Sequence, residues 1–309
     1  MKKFITSTFL ILVTLLGFGQ NTKSEYFKVI CQKGENKLNT NTLITGTKLK
    51  STDKITLTND GFIGLLHSSG KTLELKKEGT YLVSTLIQKF NETKKNTSEK
   101  YAEFIINELN KEVNNDLNLE YKKNMKISAA VERGNKNSCH FILPKSTLEK
   151  PFVYTSNNSL TIYWNSTLNS TSYLFKILDE EEAIQKTIEI VDTTFTLDFS
   201  TLKLGPKNEL LIQVSKKGEA AENKIDKRII VVIKEDTLNQ KVKAIENSLK
   251  DNNAINNYLK AEFYAQNNLI AKAIEHYKKA IKAEPQINEF KIALNNLLLT
   301  NGLEDFIVE

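Results

Sequence analysis

The sequence is poor in arginine, proline and glycine, and each shortage excludes a class of protein. Of 43 basic residues among 309, only Arg133 and Arg228 are arginines, and the formal net charge is +6. Recognition of bases and phosphates depends largely on the planar guanidinium group, so nucleic acid is not expected to be a partner. Four prolines and 12 glycines exclude collagen-like and proline-rich linker proteins. With 40% hydrophobic and 26% charged residues, the chain is expected to fold into about two domains or three small ones.

Motifs for catalysis, metal binding and phosphate binding are also missing. The stretch 64–72 approaches a phosphate-binding loop, but five residues rather than four separate Gly64 from Gly70, and a strand pattern follows instead of a helix. Cys139 and His140 are adjacent, so on a strand they point to opposite faces and do not share one metal ion. We therefore predict that the protein is not an enzyme and holds no metal or cofactor. A dispersed pair of catalytic carboxylates leaves no local motif and stays open as an alternative.

Residues 1–19 have the three parts of a secretory signal peptide. Lys2 and Lys3 form a positive start, an apolar stretch covers 4–16, and a small-x-small sequence ends at Gly19. An uncleaved membrane anchor is the alternative, but the apolar stretch is shorter than the roughly 20 residues that a spanning helix needs. The sequence predicts cleavage near Gly19 and export to the periplasm or the cell surface. It predicts no transmembrane segment in the mature chain.

Export would allow the two cysteines to form a disulfide, because exported proteins often meet oxidising conditions. Cys31 and Cys139 both lie in strand-like stretches. A bond between them would close a loop of about 108 residues and contribute about 4–5 kcal/mol in the chain-entropy model. The alternative is two separately buried thiols, since the sequence does not tell whether the two Cα atoms approach within about 7 Å.

Residues 20–145 are predicted to form a first module that begins with β structure. Apolar and polar residues alternate over 54–58 and 72–75, and turn signals recur about every 8–10 residues, as in a small β meander or barrel. A helix is predicted over 97–115, followed by a hairpin that ends with 139–143. The run GTKLKSTDKITLTNDGFIGLLHSSGKTLELKKEGTYLVSTL resembles the β repeat of FecR-type envelope domains. That resemblance implies an envelope protein that relays surface occupancy to a membrane partner.

Residues 146–235 are predicted to form a β-sandwich. Leu160, Ile162 and Trp164 alternate in the stretch SLTIYWN. The region resembles a fibronectin type III-like or immunoglobulin-like sandwich, in which a core tryptophan corresponds to Trp164. The family has tyrosine where this chain has Leu210, so its hydroxyl-to-backbone bond has no counterpart here. The core positions that the resemblance implies are Trp164, Leu204, Leu210, Ile212 and Val214.

Residues 237–309 are predicted to form a helical domain, with a helical period over 237–301, and the stretch 254–287 resembles one tetratricopeptide repeat. Small residues let two helices approach closely, aromatic residues fill the groove beside them, and a proline ends the second helix. One repeat does not bury its own faces, so helices over 237–250 and 287–300 are expected to cap it. The structural positions of the repeat are Ala261, Tyr264, Ala273, Tyr277, Ala280 and Pro285.

First helices of tetratricopeptide repeats line a concave groove. By position, the resemblance implies that Tyr258, Glu262 and Gln266 face a bound segment of a partner protein. The alternative for Tyr258 is a role in helix packing alone.

The predicted fold class is therefore multidomain α+β: a small β meander or barrel with a helix, a β-sandwich, and an all-α end of helical hairpins. The expected function is that of a non-catalytic, exported scaffold that binds another protein through the helical groove. Two alternatives remain, namely an envelope signalling or regulatory protein of FecR type and a carbohydrate-adhesion module. Fold resemblance alone does not decide among them.

Overall fold

A β-rich region, a second β region and a helical region follow one another along the chain. A computed structural model describes residues 26–92, 139–144, 153–156, 158–165, 171–179, 181–218 and 226–308. The predicted signal peptide at 1–19 and the predicted helix at 97–115 lie outside the described residues. The order of the regions confirms the predicted α+β fold class with a helical C-terminal part.

Within the described residues 26–92, the first β module has eight strands and one helix. The strands are β1 (Phe27–Lys33), β2 (Lys37–Leu38), β3 (Asn41–Thr42), β4 (Lys48–Leu49), β5 (Lys54–Leu57), β6 (Phe62–His67), β7 (Thr72–Leu75) and β8 (Gly79–Leu82), and helix α1 is Val83–Glu92. They form two four-stranded antiparallel sheets, in the orders β4-β1-β6-β7 and β3-β2-β5-β8. Helix α1 contributes Val83, Leu86 and Ile87 to the core that the sheets share.

Strand β6 is buried on both of its faces, and this positions the contact with the helices. Ile63 and Leu65 point into the core of the first β module. Phe62 and Leu66 belong to a different cluster, which they share with the helical region. Since side chains alternate along a strand, Gly64 lies on the same face as Phe62 and Leu66. The first β module therefore presents an apolar strand face to the helices.

In its described residues, the second β region is a sandwich of two sheets. Its strands are β9 (Val153–Thr155), β10 (Ser159–Tyr163), β11 (Tyr173–Leu178), β12 (Ile184–Ile190), β13 (Thr194–Asp198), β14 (Glu209–Lys216) and β15 (Asp226–Val232). One sheet pairs β10 with β13, and the other has the order β12-β11-β14-β15-β9, with β9 parallel to β15. Alternating apolar residues of both sheets meet in one core.

The positions that sequence analysis assigns to the sandwich core lie there. Trp164 is 2% exposed and contacts the rings of Tyr173 and Phe175, with centroids 5.8 Å away in each case. Leu204 is partly buried at the edge of this core. The remaining positions, Leu210, Ile212 and Val214, are buried on β14.

Residues 139–143, predicted as the end of a hairpin in the first module, pack into the sandwich instead. Phe141 forms an isolated bridge with Trp164, and its N–H donates to the Asp226 carboxylate at 2.7 Å. Phe141 and Leu143 are both buried in the sandwich core. The apolar face of this segment is thus covered by the sandwich, and the segment belongs to the second β region.

No disulfide joins Cys31 and Cys139. Cys31 is buried in the cluster that the first β module shares with the helices, whereas Cys139 is buried in the sandwich core. The bond considered from the sequence is therefore absent, because two different cores hold the two thiols.

The helical unit comprises four α-helices and one short 3-10 helix. They are α2 (Asp236–Ser248), α3 (Ala254–Gln266), α4 (Ile270–Ala283), α5 (Asn288–Thr300) and the 3-10 helix Glu304–Phe306. Asn253 caps α3, because its side-chain oxygen accepts from the N–H of Asn256 at 2.8 Å. Helices α3 and α4 pack against each other, and α5 packs on α4. In the part of the chain that the structure describes, no helix has the length and apolar character needed to cross a membrane.

Candidate functional site

Helix α3 is enclosed along nearly its whole length. Its first eleven residues, 254–264, are all buried, and they include the polar side chains of Asn256, Lys260 and Glu262. A helix in an isolated two-helix hairpin buries one stripe and exposes the opposite face. Burial of every position therefore requires cover on the side that α4 does not reach.

The first β module supplies part of that cover through a contact between Gly64 and Ile255. A Cβ atom on Gly64 would lie 2.1 Å from the Cδ1 atom of Ile255 and 3.0 Å from the Sγ atom of Cys31. Ile255 is fully buried. The absence of a side chain at position 64 thus allows the first turn of α3 to sit directly on strand β6.

Polar groups of strand β7 fix the first turn of α3 in the same place. The carboxylate Oε1 atom of Glu74 accepts from the backbone N–H of Ile255 at 3.1 Å. The hydroxyl of Thr72 donates to Oδ1 of Asn256 at 2.5 Å. The first N–H groups of a helix have no partner within it, and a carboxylate there also interacts favourably with the helix dipole. A residue of the first β module therefore caps a helix of the helical unit.

Ionic contacts continue along this interface. The Lys76 ammonium lies 2.6 Å from Glu284 and 3.0 Å from Glu74. Partial burial lowers the pKa of Lys76, but hydrogen bonds to the two carboxylates outweigh it and hold the pKa above its usual value. Farther along, Oε1 of Glu289 on α5 accepts from the hydroxyl of Thr45 at 3.0 Å. The first β module thus bonds to α3, to the end of α4 and to α5.

We expect the Lys76→Glu substitution to lower the free energy of unfolding by about 1 kcal/mol, because it places three carboxylates together at a half-exposed site. The matched control is Lys77→Glu, which makes the same charge change at an exposed neighbouring position. Urea unfolding at low salt measures both variants. A loss of equal size in the two variants, or one that does not shrink at high salt, would contradict the ion pairing described.

The sandwich covers the opposite side of the helical unit. Helix α4 packs against β9 and β10, and Ala271 of α4 joins the sandwich core. The ammonium of Lys278 lies 4.2 Å from the ring centroid of Tyr163, an arrangement that favours a cation–π interaction. Burial lowers the pKa of Lys278. Burial, together with the nearby Glu275 carboxylate, raises the pKa of Tyr163 to about 12.

A buried polar cluster joins α2, α3 and α4. The ring of His276 stacks on Tyr264 with centroids 5.3 Å apart, and its Nδ1 atom lies 3.0 Å from Oδ1 of Asn257. The hydroxyl of Tyr264 donates to the Glu246 carboxylate. Burial lowers the pKa of His276 from 6.5 to about 4, and the positive charge of Lys279 acts in the same direction. The histidine is therefore neutral at pH 7 and serves as a packed hydrogen-bonding ring.

Of the three residues predicted to line an open groove, two are buried and one is exposed. Tyr258 is 8% exposed, with its ring against Tyr277 and Phe290. Glu262 is also buried, and its carboxylate accepts from the Tyr277 hydroxyl at 2.6 Å. Only Gln266, at the end of α3, is exposed. The face of α3 that carries Tyr258 and Glu262 is therefore not open to a partner in this conformation, because the chain itself covers it.

The repeat positions take the places that close helix packing requires. Ala261, Ala273 and Ala280 are fully buried, as are the rings of Tyr264 and Tyr277. The proline at 285 follows two residues after α4 ends. The sequence did not point to Glu74 and Gly64, which hold α3 from another module. Their contacts join positions about 180–190 residues apart, and no local pattern encodes them.

Two further features of the described residues bear on ligand binding, namely a polar cleft and the absence of a group that could hold a metal ion. A polar cleft of about 490 Å³ lies between the sandwich and α2. Among the described residues that line it, none is aromatic, cysteine or histidine; they include Ser156, Asn158, Asp236, Asn239, Lys243 and Glu246. The described ranges contain no group of three or more histidine, cysteine or acidic residues that could hold a metal ion.

Neither a scan against protein-family models nor a search of curated proteins finds a match for the chain. The FecR-type, fibronectin-like and tetratricopeptide resemblances therefore rest on the sequence motifs. The architecture agrees with the coarser description common to them, namely β-rich N-terminal and middle regions followed by a helical region.

Proposed function

We propose that this protein is a non-catalytic, exported scaffold that binds another protein, and that its helical unit holds the two β modules in one fixed arrangement. The observation that carries the proposal is the enclosure of α3, whose residues 254–264 are all buried. A helix enclosed in this way serves as an internal support. The surface offered to a partner is then the combined outer surface of the assembled modules.

The contacts on either side of the helical unit support this arrangement. On one side, an apolar contact at Ile255 is surrounded by bonds to Thr72, Glu74 and Lys76. On the other side, Ala271 enters the sandwich core. Modules joined only by flexible linkers do not share cores, whereas both β modules here share apolar clusters with the helical unit, which favours a fixed orientation.

The carbohydrate-adhesion alternative has less support. Sugar-binding surfaces commonly use exposed aromatic rings as platforms. Trp164 is the only tryptophan of the chain and lies in the sandwich core. The cleft between the sandwich and α2 is polar, but no aromatic ring is among its described lining residues.

Co-purification from intact envelopes with the tagged full chain tests the proposal. Three forms are compared: the unchanged chain, Gly64→Ala, which crowds Ile255, and Gly64→Ala with Ile255→Val, which removes the nearer of the two crowding atoms. We expect one specific protein with the unchanged chain and the double variant, and several-fold less of it with Gly64→Ala. Absence of a protein partner together with retention on cell-wall polysaccharide would contradict the scaffold proposal. Equal recovery with all three forms would show that the fixed arrangement is not needed for binding.

A further inference from the structure

The segment that follows α5 folds back onto that helix. The N–H of Leu303 donates to the carbonyl of Leu298 at 2.9 Å, and the chain reverses at Gly302, whose φ is +69°. After the 3-10 helix Glu304–Phe306, Ile307 is extended, with φ −56° and ψ 136°. The segment 303–308 therefore runs back along α5, from the level of Leu298 to that of Asn295.

One side chain of α5 binds the backbone of this segment at two points. The Oδ1 atom of Asn295 accepts from the N–H of Val308 at 2.9 Å, and its Nδ2 group donates to the carbonyl of the same residue at 2.9 Å. The N–H and C=O of one residue point to the same side only in extended backbone, because a helix directs them to opposite ends. Asn295 thus binds extended backbone at position 308, after the 3-10 turn, whatever the side chain there is.

Apolar contacts accompany the two backbone bonds. Leu303 is buried in the cluster of the helical unit, and Phe306 and Val308 pack against the same cluster while partly exposed. Ile307 points outward and is 44% exposed. The segment therefore offers apolar side chains at its first, fourth and sixth positions.

We propose that this side of α5 is a binding site for a peptide segment of the protein partner that makes one 3-10 turn and then extends, with apolar residues at the first, fourth and sixth positions. The chain's own segment 303–308 occupies the site in cis. The proposal rests on the proposed function, since it states which kind of segment the partner supplies. A tethered segment has an effective concentration near the millimolar range, so even weak contacts keep the site filled until a better ligand arrives.

The test measures binding of a labelled, C-terminally amidated peptide Gly-Leu-Glu-Asp-Phe-Ile-Val, which copies residues 302–308. The full chain is compared with Val308→Pro, which removes the N–H that Asn295 accepts and leaves α5 unchanged. We expect the peptide to bind Val308→Pro at least tenfold more tightly than the unchanged chain. If Val308→Pro loses helical circular dichroism, Phe306→Ser takes its place, because it weakens the segment through a different contact.

Two further variants in the Val308→Pro background decide which residue recognises the peptide. Asn295→Ala is expected to weaken peptide binding about tenfold, because two hydrogen bonds are lost. Asn296→Ala is the matched control, since it removes the same type of side chain one position away, and binding should not change. Equal binding to both variants would overturn the proposal. So would a stable dimer of the unchanged chain that the peptide does not dissociate, which would mean that a second copy fills the site.

This experiment uses the purified chain and a synthetic peptide, and co-purification plays no part in it. Loss of peptide binding with a partner still recovered from envelopes would remove the site on α5 and leave the scaffold proposal standing. Peptide binding that depends on Asn295, with no protein partner recovered from envelopes, would keep the site on α5 and contradict the scaffold proposal.

Discussion

Replacing Gly64 with alanine is expected to lower the free energy of unfolding by about 2 kcal/mol, the usual cost of forcing a methyl group into a packed contact. The new Cβ atom would lie 2.1 Å from Cδ1 and 2.9 Å from Cγ1 of Ile255, whose side chain is fully buried. Either Ile255 leaves its preferred rotamer or α3 moves away from strand β6. Urea unfolding followed by circular dichroism and tyrosine fluorescence measures the loss.

The matched control for Gly64→Ala is a second substitution on the other side of the contact. Ile255→Val removes Cδ1, the atom closest to the added methyl group, and alone should cost about 1 kcal/mol. In the double variant we expect the two losses to be less than additive by about 1 kcal/mol or more. Strict additivity would contradict the direct contact between the first β module and α3.

Lowering the pH from 7 to 5 is expected to remove about 2 kcal/mol of stability through His276 alone. Burial, aided by Lys279, lowers the pKa of His276 from 6.5 to about 4 in the folded chain. The unfolded chain therefore takes up a proton as the pH falls below 6.5, whereas the folded chain does so only near pH 4. Stability is full above pH 6.5 and falls progressively between pH 6.5 and pH 4.

The charged and polar groups around this ring decide the size of the effect. Glu246 of α2 and Glu275 of α4 oppose the shift, and Lys260 of α3 and Lys279 of α4 favour it. Unfolding of the unchanged chain and of His276→Gln at pH 7 and pH 5 separates this histidine from other titrating groups. The variant should lose about 2 kcal/mol less than the unchanged chain over that interval. Equal losses would mean that His276 is not buried as described.

The strands could be predicted from sequence because their signal is local. The alternation of apolar and polar residues over 159–163 matches the alternating burial of that strand. The turn at Gly70 is indicated by a glycine, and its φ is +82°. Trp164 could be assigned to a core because it follows Leu160 and Ile162 at alternate positions. All three side chains therefore lie on the same, buried face of the sheet. The repeat positions of α3 and α4 could be predicted because their signal is also local: helix packing places small and aromatic residues three and four positions apart.

The enclosure of α3 could not be predicted, because its causes lie outside the helix. Lys260 and Glu262 have the composition of a solvated face, yet they are buried and bonded to Glu246 and Tyr277. Nothing near Glu74 in the sequence indicates that its carboxylate caps a helix 181 residues later. Polar residues at such an interface are recognised only when both sides of it are known.

Cover from outside α3 also explains why Tyr258 and Glu262, predicted to line an open groove, are buried. Position within the repeat indicates which side of α3 Tyr258 occupies, but it does not indicate whether that side is empty. Contacts with Phe290 of α5 and the cover supplied by the first β module fill it. A repeat motif therefore predicts helix packing more securely than it predicts an accessible binding surface.

The measurement that tests the account most directly is the labelling rate of the two cysteine thiols in the unchanged, folded chain, with mass spectrometry to distinguish them. Cys31 lies where the first β module meets α3, and Cys139 lies inside the sandwich. Burial raises the pKa of the Cys31 thiol, which slows its reaction further. If the helical unit holds the first β module in place, Cys31 is protected from a maleimide as strongly as Cys139. Rapid labelling of Cys31 with Cys139 still protected would show that the two modules separate in solution, and it would contradict the fixed arrangement.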